Sequence, residues 1–221
     1  MTDNEIANPE PAASPLGAEE DLSRGEVFLK AAIAAFGIYG LGAVGPYVRA
    51  ALAADAGGDV HILNFLLPFE YLQVSLYNRG NSETNTTGGK MALKPREKEL
   101  TETFLAEEGE HVKALRDMIV HLGGKPVKKG NYAFAYRVFT QFLELAGKLE
   151  TAAIGAYNGA IPSLKSKEAR ELAFSIVQVE ARHAATARIG IREDPAPEPF
   201  DKGESEQNSI NAVLPFTGVF G

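Results

Sequence analysis

The stretch that decides the fold is residues 104–115, FLAEEGEHVKAL, because it places a carboxylate and an imidazole on the apolar face of a helix. Glu108 and His111 are three positions apart, so they share one helix face. Apolar side chains occupy the same stripe at helical spacing: Phe104, Leu105, Val112 and Leu115. An unpaired carboxylate is costly among such residues. The pattern therefore indicates a partner inside the core, such as a metal ion.

The same pattern occurs a second time, at Glu180 and His183, within a predicted helix over about 166–190. This second pair also lies on an apolar stripe, formed by Ala173, Ile176, Val177, Ala184 and Ala187. A lone Glu-x-x-His pair arises readily by chance on a solvent-exposed helix face. Two such pairs on core-facing stripes are a stronger indication of a metal site.

Two further predicted helices each carry one inward glutamate. Glu70 lies in a helix over about 59–78, and Glu150 lies in a helical pattern over about 132–160. Each shares its stripe with aliphatic and tyrosine side chains at helical spacing. Both glutamates are therefore expected in the core.

Other glutamates on these helices are assigned to solvent. Glu144 lies among polar and basic neighbours, and Glu107 and Glu110 are predicted to turn away from the Glu108 stripe. This selection leaves one glutamate per helix and two histidines. Four carboxylates would balance the charge of two divalent cations, with neutral imidazoles completing the shells. The predicted metal ligands are Glu70, Glu108, His111, Glu150, Glu180 and His183.

The composition narrows the chemistry. The chain has 221 residues, no cysteine, no tryptophan and a formal net charge of −7. The absence of cysteine excludes disulfide scaffolds, thiolate metal sites and cysteine nucleophiles. The acidic balance argues against nucleic acid as a partner. Any metal must be held by Glu, Asp or His, and these ligands suit iron and manganese alike.

The chain divides into three predicted parts. Residues 1–57 combine an acidic, disordered lead-in with an uncharged stretch over 31–48. That stretch can be read as a secretory signal, as a short membrane helix, or as a retained apolar arm. Residues 58–190 are expected to form a four-helix bundle, and residues 191–221 an extended tail lying over it.

These residues resemble the ferritin-like di-metal carboxylate superfamily, whose signature is one Glu from each of two helices and Glu-x-x-His from each of the other two. The segments around Glu70, Glu150 and Glu180 are similar to the bacterial ferritin-like-domain family that includes desiccation-related proteins. The resemblance covers roughly 58–190. Members often carry twin-arginine export signals, but here residues 23–30 have only one arginine. Export to the periplasm and retention in the cytoplasm therefore both stay open.

Ferritin-like topology makes helices two and three parallel, so a long crossover must join them. Glu108 lies about 21 Å before Leu122 along its helix. If helix three begins near Arg137, the connection must cover about 40 Å, which its residues can reach when extended. A helix beginning at Asn131 leaves too short a link and would imply a simple up-down-up-down bundle. We therefore expect residues 123–136 to be largely crossover.

The resemblance implies reaction of two Fe or Mn ions with a small oxidant, peroxide or dioxygen, in oxidative or desiccation stress. Peroxide disproportionation suits a chain without cysteine, because it needs no external electron donor. Tyr71 and Tyr157 are candidate redox or hydrogen-bonding phenols, although a core tyrosine is the more usual explanation. The alternative function is a non-catalytic bundle with a structural, assembly or metal-sequestering role, in which the apolar arm or tail mediates homo-oligomerisation.

Overall fold

The structure, a computed structural model, describes residues 58–82, 91 and 93–216, and this part of the chain is helical with no β-strand. The bundle helices are α1 (Asp59–Asn81), α2 (Pro95–His121), α3 (Phe139–Ala160) and α4 (Lys167–Gly190), followed by the short α5 (Glu206–Val213). Single 3₁₀ turns cover Ile161–Ser163 and Leu214–Phe216. The all-α bundle predicted from the sequence is confirmed. The predicted lead-in and the apolar stretch over 31–48 lie outside the described residues.

Local sequence signals set two of the helix ends. After α2, Gly123 adopts a φ of +79°, and its N–H donates to Val120 while that of Gly124 donates to Ile119. This pair of bonds satisfies carbonyls that the helix end leaves open. Before α4, the Ser166 hydroxyl accepts from the Ala169 N–H at 3.1 Å.

No helix in the described part of the chain is long and apolar enough to cross a membrane.

Gly58 is the N-cap of α1, so Asp59 lies in the first turn of the helix. The Asp59 carboxylate accepts from the backbone N–H groups of Lys165, at 2.7 Å, and Ser166, at 2.6 Å. These donors precede α4 and have no helical partner of their own. Asp59 therefore ties the beginning of α1 to the turn between α3 and α4.

The connection between α2 and α3 runs the length of α1. Asn64 of α1 donates to the Lys125 carbonyl and accepts from the Val127 N–H. Further along, the Tyr132 hydroxyl donates to the carbonyl of Pro68. Residues 122–138 are thus a crossover, as the reach argument predicted, with helix three beginning at Phe139.

This crossover fixes the direction of α3. Phe142, near the start of α3, lies where a Cβ on Gly80, near the end of α1, would contact its ring. The turn after α3 returns to Asp59 at the start of α1. Helix α3 is therefore antiparallel to α1 and parallel to α2. The closest pairs are α1–α2 and α3–α4, joined by α1 against α3 and α2 against α4.

The C-terminal tail lies on α3, but part of it is helical and not extended as the sequence analysis expected. The Ser205 hydroxyl caps α5 by accepting from Asn208, and Ile210 and Val213 are buried. Three-residue spacing places those two side chains on one face, which explains why a short helix forms here. Upstream of it, the Glu204 N–H donates to the Gly155 carbonyl at 2.8 Å.

Candidate metal centre

The bundle helices bring all six predicted ligands into the core. The four glutamates are fully buried, one from each of α1 to α4, and His111 and His183 are 9% and 2% exposed. Packing of four apolar stripes against one another forces these side chains together. The prediction that each bundle helix carries one inward carboxylate is therefore matched by their positions.

The six side chains form two overlapping groups. Glu70, Glu108, His111 and Glu180 form the first, and Glu108, Glu150, Glu180 and His183 form the second. Within each group, one potential ligand atom per residue lies within 4.8 Å of every other. Glu108 and Glu180 belong to both groups. These two carboxylates would be shared if each group held an ion.

Both histidines direct the same ring nitrogen into the cluster. His111 Nδ1 lies 3.0 Å from Glu180 Oε1, 3.2 Å from Glu108 Oε2 and 3.3 Å from Glu70 Oε2. His183 Nδ1 lies 2.8 Å from Glu108 Oε1 and 3.9 Å from Glu150 Oε2. Each Glu-x-x-His pair thus presents a nitrogen and a carboxylate to one shared space.

Glu107 contacts the cluster, although the sequence analysis predicted that it turns away from the Glu108 stripe. Its Oε2 lies 2.6 Å from Nε2 of His183, although its side chain is 46% exposed. Glu107 precedes Glu108 on α2 and is long enough to reach across to α4. A carboxylate on Nε2 holds that proton and leaves the Nδ1 lone pair free for a metal. Phe104 stacks on the same imidazole at 3.9 Å between ring centroids.

The tyrosines differ from the prediction in one case. Tyr157 donates its hydroxyl to Glu70 Oε1 at 2.5 Å, so it contacts the cluster. The hydroxyl of Tyr71 instead donates to the Val127 carbonyl and accepts from Arg116. Tyr71 points toward the crossover because the next position after Glu70 lies about 100° around the helix. Tyr77, a second buried tyrosine of α1 that the sequence analysis did not select, donates to Glu150 Oε1.

Gln73 is a third polar residue of the cluster that the sequence analysis did not predict, after Glu107 and Tyr77. Its side chain is buried, and its Nε2 lies 2.5 Å from both Glu150 Oε2 and Glu180 Oε2. The available signal was its spacing, three positions after Glu70, which is the spacing of each Glu-x-x-His pair. An uncharged glutamine on an apolar stripe is a weaker signal than a carboxylate, because it costs less to bury.

Burial and mutual repulsion make three of the four carboxylates hard to ionise without a cation. Glu180 is the exception, because burial acts to raise its pKa but hydrogen bonds to His111 and Glu150 lower it below the usual value. Burial and the charge of Glu180 raise the pKa of Glu70 and that of Glu150 well above the usual range. The same causes raise the pKa of Glu108 to about 7. Burial acts to lower the pKa of His111, but hydrogen bonds to Glu108, Glu180 and Glu70 raise it to about 12. The cluster thus attracts positive charge.

The donor set fits divalent metal ions. Within the cluster, Gln73 Oε1 is buried without a hydrogen-bond partner. Glu70 Oε2 and Glu180 Oε1 have only His111 Nδ1 beside them, at 3.3 Å and 3.0 Å, and share it with Glu108. Buried polar atoms of this kind are rare unless water or an ion completes them. Carboxylate oxygens and imidazole nitrogens are ligands that iron and manganese accept.

Comparison with known proteins agrees with this architecture. The family model described as the ferritin-like domain matches residues 58–193. A solved structure of a conserved hypothetical protein from Mycobacterium tuberculosis is similar, with a TM-score of 0.52 and 14% identity. The match covers 64% of this chain and 96% of that one, and at this identity it shows the fold alone. No curated protein matches the sequence.

Proposed function

The chain belongs to the ferritin-like domain family, and on that premise we propose that its core cluster binds two Fe or Mn ions and acts on peroxide or dioxygen. The observation that carries the proposal is the pair of overlapping ligand groups sharing Glu108 and Glu180. A single structural ion would need only one group. Two groups with common carboxylates suit a pair of bridged ions.

Charge balance supports two ions of charge +2. The four buried carboxylates carry −4 when ionised, which two such ions cancel while both imidazoles stay neutral. The formal net charge of the chain would change from −7 to about −3. Burying four uncompensated carboxylates would otherwise be costly. The ligand set therefore favours metal binding over a purely structural polar core.

The ions would supply reversible electron transfer, and the surrounding residues would control protons. Tyr157 and Tyr77 donate to Glu70 and Glu150, so each can hold a proton at a ligand carboxylate. Peroxide disproportionation is the reaction we favour. One peroxide molecule is oxidised to dioxygen and releases two electrons and two protons. A second peroxide molecule takes up these electrons and protons and is reduced to two waters. No thiol or second redox protein is required, in keeping with the lack of cysteine.

Oxygen evolution from peroxide tests this proposal. Protein loaded with manganese or with iron should evolve dioxygen, and Glu108→Ala should abolish the activity because it removes a ligand common to both groups. Glu110→Ala, at an exposed position on the same helix, is the matched control and should retain it. Failure of the wild-type protein with both metals would contradict the peroxide reaction. Metal binding without turnover would favour sequestration in its place.

A further inference from the structure

Gln73 lies inside the cluster as a neutral seventh side chain. It is 1% exposed, and its amide nitrogen lies 2.5 Å from one oxygen of Glu150 and one oxygen of Glu180. Its own amide oxygen is buried without a hydrogen-bond partner. A buried amide usually satisfies both of its ends. Gln73 satisfies only its donor end.

The contacts of Gln73 favour one half of the cluster. Glu150 and Glu180 both belong to the ligand group that contains His183, whereas only Glu180 belongs to the group that contains His111. No comparable amide contacts Glu70 or Glu108 among the hydrogen bonds of the described residues. The two halves are therefore chemically unequal.

The position of the Gln73 amide suits a ligand. Adjacent ligands around an ion with bonds of about 2.1 Å lie about 3 Å apart. The amide nitrogen is 2.5 Å from each carboxylate oxygen, which is shorter than that spacing, so the amide already reaches the position of a neighbouring ligand. Without an ion, the NH₂ group donates to the oxygens that a cation would bind. Rotation of the terminal amide by half a turn exchanges its nitrogen for its oxygen without moving the rest of the side chain.

We propose that Gln73 is a seventh ligand, specific to the ion bound by Glu150, Glu180 and His183, to which it presents its amide oxygen. This inference rests on the proposed two-ion site and adds an asymmetry to it. A neutral ligand leaves the charge balance unchanged, because the four carboxylates already cancel two divalent ions. The extra oxygen distinguishes the two ions by coordination number and affinity. The ion nearer His111 keeps the more open coordination sphere.

Cobalt(II) binding tests the proposal without relying on activity. Wild-type protein, Gln73→Leu and Gln178→Leu are titrated with Co²⁺ by calorimetry, and the visible absorption of bound cobalt reports its coordination. Gln178→Leu is the matched control, because it makes the same substitution at an exposed glutamine whose amide donates to the Phe174 carbonyl and not to the cluster. We expect Gln73→Leu to weaken one of two sites at least tenfold and to alter the spectrum of that ion only. The other site of Gln73→Leu, and both sites of Gln178→Leu, should stay within threefold of wild type.

Other results would overturn the assignment. Two unchanged sites in Gln73→Leu, or equal weakening of both, would mean that Gln73 is not a ligand of one ion. If Gln73→Leu does not fold, Gln73→Glu tests the assignment in its place. Its added carboxylate oxygen should tighten cobalt binding at the site of Glu150, Glu180 and His183 at least threefold. Weaker binding at that site would refute the proposal. Wild-type protein that binds fewer than two cobalt ions would overturn the two-ion site itself. If the wild-type protein binds two cobalt ions and Gln73→Leu binds them equally well, only the role of Gln73 is overturned.

Discussion

Replacing Glu108 by glutamine should stabilise the metal-free protein at high pH, which is the reverse of the usual effect of a buried substitution. Burial and the charge of Glu180, opposed by His111, raise the pKa of Glu108 from 4.5 to about 7. When a carboxyl has a higher pKa in the folded state than in the unfolded state, its ionisation destabilises the folded protein. This loss of stability is absent below pH 4.5, grows between pH 4.5 and 7, and is constant above pH 7.

The size of the effect follows from that pKa. Raising it from 4.5 to about 7 corresponds to about 3 kcal/mol of lost stability at pH 8. Glutamine removes this cost but leaves one of the two histidine contacts of Glu108 unsatisfied, at about 1 kcal/mol. We therefore expect Glu108→Gln to gain about 2 kcal/mol at pH 8 and to lose about 1 kcal/mol at pH 4.5.

Urea denaturation of chelator-treated protein at the two pH values measures this difference. Glu110→Gln, on the exposed side of α2, is the matched control and should change the free energy of unfolding by less than about 0.5 kcal/mol at both. Added Mn²⁺ should stabilise the wild-type protein and not Glu108→Gln. The reasoning is refuted if Glu108→Gln is equally destabilising at pH 8 and at pH 4.5.

Three further changes have expected outcomes. Arg192 has a φ of +66°, so Arg192→Gly should raise the free energy of unfolding in urea by about 0.5–1 kcal/mol, and no gain would contradict a strained backbone. A Cβ on Gly159 would lie 1.9 Å from the Glu204 carbonyl oxygen, so Gly159→Ala should cost about 2 kcal/mol and speed proteolysis of the tail. An unchanged digestion pattern would show that the tail does not depend on this contact. Because protons compete for Glu108, Mn²⁺ affinity measured by calorimetry should fall at least tenfold between pH 7.5 and 5.5, and a pH-independent affinity would argue against binding at this cluster.

The sequence predicted the bundle well because its signals are periodic. An inward glutamate stands out on an apolar stripe, and each of the four stripes lies on one long helix. The crossover was also predictable, since the reach of the chain excluded a helix that begins at Asn131. These inferences depend only on helix geometry and chain length.

What the sequence missed depends on side-chain length and on contacts between helices. Glu107 lies beside the stripe, yet its long side chain reaches His183 on another helix. Tyr77 lies two turns after Glu70, just as Tyr157 lies two turns after Glu150. Because Tyr157 was a predicted site residue, the same spacing favours Tyr77 over Tyr71. The tail helix was missed because eight residues carry little periodic signal, and its burial on α3 supplies the stability.

The central claim is that the cluster binds two divalent ions, and the metal content of purified protein tests it most directly. Protein expressed in metal-replete medium should contain two Fe or Mn ions per chain by elemental analysis. Glu108→Ala should contain fewer than two, while Glu110→Ala should match the wild type. Wild-type protein without bound iron or manganese, and unable to take up either on reconstitution, would contradict the account.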